Sequence, residues 1–80
     1  MSVSRDLRRA DDRLVAVISG WLARHVSDRE LAHELGMARG LSPEQAKAVD
    51  ELRAELAKPR ERAELEMFAR ETLETLAIAG

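Results

Sequence analysis

Glu30 and His33 stand three residues apart in Glu30-Leu-Ala-His33. On a helix that spacing puts both on one face, where they could bind the same metal ion. Dinuclear sites in helical bundles use two such steps and two further carboxylates. This chain carries one step, so a second would have to come from a dimer partner. Glu30 also has a competing use, because it lies three residues after Ser27 and completes a capping box. No metal site is therefore expected. The other histidine, His25, falls on the apolar side of the first helical segment and reads as a packing or capping residue rather than a base. No serine sits on the sharp strand-to-helix turn that exposes a nucleophile. The absence of cysteine excludes thiol catalysis, thiolate metal sites and disulfides. The expectation is a non-enzymatic protein with no catalytic residue and no cofactor.

Two resemblances bear on function. In residues 28–37, Leu31-Ala32 followed by Leu35-Gly36-Met37 resembles the first half of a repressor-type helix–turn–helix. The small Ala allows close helix packing and Gly permits the turn. The resemblance implies a DNA-binding transcriptional regulator using residues 28–57, with Arg39, Gln45, Lys47 and Arg53 as the contacts. The second half departs from the pattern. Apolar anchors are due about six and nine residues after Gly36, where Ser42 and Gln45 stand, and Ala46 and Val49 come four residues late. The helix that would read DNA also carries Glu44, Asp50, Glu51 and Glu55, which repel phosphate. The formal net charge is −2. Arg5, Arg8, Arg9 and Arg13 are interleaved with Asp6, Asp11 and Asp12, the pattern of a solvated face. Leu7-Arg8 and Asp11-x-x-Leu14-Val15 vaguely resemble the start of the helical-class chorismate mutases. That family's next arginine would fall near Trp21, and the inward positions here are apolar, so the cationic pocket is missing and this enzyme class is excluded.

The elements that position these residues are helical. Eighty residues suit one small domain, 1–80. Ala, Leu, Glu and Arg dominate, and no stretch alternates with period two for long. Four helices are expected, at about 4–26, 28–35, 43–58 and 60–78. They would form an all-α, small four-helix bundle, long-short-medium-medium, orthogonal or up-down, with no β-sheet. Ser27 with Glu30 and Ser42 with Gln45 form two capping boxes, flanked by the staples Val26–Leu31 and Leu41–Ala46. Pro43 suits the first helical position, Gly36 the stop of the second helix, and Pro59 the end of the third. Whether the first helix runs unbroken into the second is open.

Only one Trp and one Phe anchor the chain, although 45% of it is hydrophobic. A chain this short buries only about 60% of its unfolded surface, which raises the odds of self-association. Leu7, Leu14, Ile18, Trp21 and Leu22 form a stripe on the first helix, with Leu7, Leu14 and Trp21 spaced by sevens as in a coiled-coil seam. Trp21 suits an interface anchor or a core residue equally. The reading that ranks first is a protein–protein interaction module (a regulator, adaptor or accessory subunit), homodimeric or bound to another protein. Its interface would be Leu7, Leu14, Ile18, Trp21 and Leu22, joined by Phe68 and Leu76. The longest strongly apolar run, Leu14–Ile18, falls far short of the ~20 residues that span a bilayer. No apolar core follows the charged N-terminus, so a cytoplasmic location is expected.

Overall fold

The computed structural model describes the backbone of residues 2–79 and the side chains of residues 12–78. Four α-helices follow one another: α1 (Ser2–Leu22), α2 (Asp28–Met37), α3 (Pro43–Leu56) and α4 (Arg62–Ala79). No strand occurs among the described residues. The all-α bundle expected from composition and periodicity is the observed fold.

Within the α1–α2 and α3–α4 pairs the helices run back along one another. Trp21 meets Asp28 at one end of the α1–α2 pair, and Arg13 meets Glu34 toward the other. Gln45 at the start of α3 bonds Leu76 near the end of α4, while Glu55 near the end of α3 pairs with Arg60 just before α4. Among the described residues α1 and α3 make no close backbone approach, nor do α2 and α4. Each helix thus packs against two neighbours around one core. The core consists of Leu14, Ile18, Trp21, Leu31, Leu35, Val49, Leu52, Leu65, Ala69 and Leu76. Burying each large side chain of this kind contributes roughly 1.5–3 kcal/mol.

The local rules explain where α2 and α3 begin. Ser27 Oγ accepts from the Glu30 amide at 3.1 Å, and the Glu30 carboxylate accepts from the Ser27 amide at 3.2 Å. Ser42 and Gln45 repeat the arrangement at 3.2 and 2.9 Å. Both expected boxes are formed.

Helix ends differ from expectation, for identifiable reasons. α1 stops at Leu22, four residues early, and the chain turns through 23–27, so α1 and α2 are separate rods. The amide of His25 donates to the Gly20 carbonyl at 2.8 Å and that of Arg24 to Trp21 at 3.0 Å. This is the Schellman pattern, with Arg24 at the left-handed position (φ 67°) that glycine usually fills. His25 is therefore an exposed turn residue whose backbone closes the cap, not part of α1's apolar side. Gly36 does not end α2, which continues through Met37. The left-handed glycine is Gly40 (φ 74°), in the loop that follows. α3 ends at Leu56 rather than 58, capped at Ala57: the Ala57 amide donates back to Ala54 and the Lys58 amide to Glu55. α4 begins two residues late, at Arg62, because Arg60 is drawn to Glu55 and the Glu61 carbonyl accepts the first bonds from Glu64 and Leu65.

Candidate functional site

Most of the expected interface is core. Leu14, Ile18, Trp21 and Leu76 are buried, and Leu22 and Phe68 are half-buried against them. The side chain of Leu7 lies outside the described residues. The described members of the stripe on α1 pack against α2 and α4 within the same chain, so they are not open to a partner. This corrects the expected site.

Trp21 is fully buried and bound on every polar edge. Its indole Nε1 donates to Asp28 Oδ1 at 2.6 Å. The Arg62 guanidinium lies over the ring, 3.8 Å from its centroid. Arg62 also donates through Nη2 to the Trp21 carbonyl, and through Nε to Glu66 Oε2 at 2.9 Å. One residue therefore joins the end of α1 to the starts of α2 and α4. Such a stack is worth about 0.5–1 kcal/mol at an exposed site and about 2 when desolvated; with the Arg62 side chain 30% exposed, this one falls between. Arg62 and Asp28 went unrecognised in the sequence. Asp28 follows a cap, Arg62 reads as half of a surface i,i+4 pair with Glu66, and 41 residues separate Arg62 from the ring it covers.

The residues expected to touch DNA are dispersed. Gln45 is 2% exposed. Its Nε2 donates to the Leu76 carbonyl at 3.3 Å, and its Oε1 accepts from the Ser42 amide. A side chain used up in a cap and an interhelical bond cannot read a base edge, which removes Gln45 from that list. Arg39, Lys47 and Arg53 are exposed, and the terminal atoms of Arg53 lie against Gly36. Glu44, Asp50 and Glu51 share the exposed surface of α3.

The Glu30–His33 pair is exposed, with Glu30 held by Ser27. Among the described residues, no three His, Cys, Asp or Glu side chains gather closely enough to hold a metal ion. Among the described residues, the Glu55 carboxyl is lowered from its usual 4.5 by a hydrogen bond from Lys58 Nζ at 3.1 Å, with partial burial opposing and the Arg60 charge assisting. It is an ion pair closing the α3–α4 turn.

What remains open is a cleft of about 350 Å³ between α1 and the last turn of α2. Leu14, Met37 and Ala38 supply its apolar surface, and Arg13, His33, Glu34 and Arg39 its polar rim. Met37 is 63% exposed, on the side of α2 away from the buried Leu31 and Leu35. Arg13 bridges the cleft, its Nε and Nη2 donating to the Glu34 carboxylate at 3.0 and 3.4 Å. A wider groove between α2 and α3 has balanced charge, with Asp28 and Asp50 against Arg29 and Arg53. Among the described residues the other large exposed apolar side chains are Val15 on α1 and Met67 and Ile78 on α4. No helix among the described residues is long and apolar enough to cross a membrane. No protein-family model, curated protein or solved structure matches the chain.

Proposed function

We propose that this chain is a small helical protein–protein interaction module whose binding surface is the cleft between α1 and the end of α2. The observation that carries this reading is Met37. A flexible, polarisable side chain stands in solvent at the lip of an apolar floor, and such side chains adapt to the surface of a partner. The bundle has its own core and does not need the cleft filled to fold. The module would act as a regulator, adaptor or accessory subunit by holding its partner there.

The test is a photo-crosslinking amino acid placed at position 37 in living cells, with position 67 as the control, and adducts identified by mass spectrometry. A discrete protein adduct, the chain itself included, is expected at 37 and not at 67. Equal adducts at both positions, or none at 37, would end the reading.

A second reading, a helix–turn–helix-like DNA-binding regulator, draws support from the adjacency of α2, the 38–42 turn and α3, with Arg39, Lys47 and Arg53 exposed. It ranks second because three carboxylates share the α3 surface with those cations, and phosphate binding needs net positive charge. A gel shift on random duplex DNA at low salt separates the two, since phosphate-driven binding is strongest there.

A further inference from the structure

We infer that the occupant of the α1–α2 cleft is an acidic amphipathic segment of another protein, an inference that rests on the interaction-module reading above. Three features of the cleft specify that chemistry. The first is charge. Arg13 and Arg39 stand around it against a single carboxylate, Glu34, which Arg13 already engages, so Arg39 supplies the surplus positive charge. Among the described residues Arg39 has no carboxylate within ion-pair distance. A cationic rim on a chain of net charge −2 is a local reversal of sign, and an acidic ligand is steered to it. The second is the floor. Met37 and the half-buried Ala38 offer a small apolar seat for an aliphatic side chain, with Leu14 almost wholly covered beneath them. The third is size. A cleft of about 350 Å³ takes one or two side chains of an occupant. A short segment with carboxylates beside an aliphatic anchor meets all three conditions. Its carboxylates would pair with Arg39 and with the exposed edge of Arg13, whose side chain is 72% accessible.

The experiment titrates the intact, isotope-labelled chain with two short capped helical peptides. Both carry a leucine stripe at i, i+3, i+4 and i+7. The remaining positions are glutamate in one and lysine in the other. The glutamate peptide is expected to shift the amides of Leu14, Met37, Ala38 and Arg39, to weaken as salt rises, and to leave Met67 and Ile78 unmoved. Arg39→Glu is expected to cut its affinity about tenfold or more, because a favourable charge contact becomes a repulsion. Arg39 is exposed, so an unchanged melting curve for the variant confirms that its fold is intact. Equal binding of the lysine peptide overturns the proposal, as does a shift map centred on α4 or the absence of any shift at the cleft. Concentration-dependent shifts at the cleft without peptide also overturn it, because the occupant is then a second copy. A crosslink at position 37 with no glutamate-peptide binding would sink this inference and leave the interaction-module reading standing.

Discussion

The two ends of α2 are built on opposite terms. At its start, every polar group near Trp21 has a partner: Asp28 on the indole, Arg62 on the ring face and carbonyl, Glu66 on Arg62, and the capping box beside them. Nine residues later, Met37 and Arg39 stand in solvent and the loop passes through a left-handed glycine, Gly40. The first end spends its side chains on holding three helices together. The second leaves apolar and cationic groups that the fold does not use. In a chain this small, that contrast is the strongest pointer to where function resides, because structural residues bind inward and only unspent ones can bind outward.

The largest test of the contrast is Trp21→Ala. Removing a fully buried Trp costs about 3–5 kcal/mol and also orphans Asp28 and Arg62. Against a total stability of about 5–15 kcal/mol, the variant is expected to be largely unfolded or to melt some tens of degrees lower by circular dichroism. A loss below about 1 kcal/mol would mean that this end is not the structural one. Sedimentation of the wild type at micromolar concentration adds a second check. Trp21 is internal to one chain here, so the substitution should change melting without first changing oligomeric state.

Next in size is the close approach of the turn to α1. A Cβ on Gly20 would lie 2.8 Å from Val26 Cγ2. Val is stiff about χ1 and half-buried at this point, so it cannot swing clear at low cost. Gly20→Ala gains about 1 kcal/mol of helix propensity but incurs an overpacking cost of about 1–3 kcal/mol, and a net loss of about 1 kcal/mol is expected. In a Val26→Ala background the same substitution should become stabilising. A double-mutant cycle by urea unfolding measures the change of sign, and purely additive effects would refute the contact.

Arg24→Gly is expected to act in the opposite direction. The left-handed conformation costs a non-glycine residue about 1–2 kcal/mol, and Arg24 adopts it at the cap of α1. Glycine removes that strain but loosens the unfolded chain. The net gain should be about 0.5–1 kcal/mol, a rise of a few degrees in Tm.

These residues also mark what the sequence could and could not show. The helix starts were legible, since a capping box is a local code read over four residues: Ser27 to Glu30 and Ser42 to Gln45. The end of α1 was not, because Arg24 does the work of a glycine and leaves no stop signal. Gly36 misled for the converse reason, being a glycine kept inside a helix where the Arg53 guanidinium lies against it. The periodic stripe on α1 was correctly seen as apolar and misassigned as an interface. One helix in isolation cannot distinguish the two, because covering by α4 and covering by a partner require the same side chains. Gln45 was legible as a cap partner and invisible as the buried tie to Leu76, a contact 31 residues away. The cleft itself left only Met37 and Arg39 as a trace, two residues whose meaning depends on where α1 passes.

The smallest expected effect is the one that sharpens the contrast most. Met37→Gln keeps length and helix propensity while removing the apolar tip. Because Met37 is 63% exposed, the substitution should shift stability by no more than about 0.5 kcal/mol. An ordinary core position loses several times that when an aliphatic side chain becomes an amide, since the buried polar group needs a partner. Thermal melts of Met37→Gln and Leu35→Gln, two residues apart on the same helix, put the two cases side by side. Leu35 is buried and should lose about 3 kcal/mol or more. If Met37→Gln falls toward the Leu35 value, the methionine is a structural side chain held against α1, and the end of α2 loses its claim to be the working surface. If it melts like the wild type, folding does not require Met37, and what it contributes must be sought in binding.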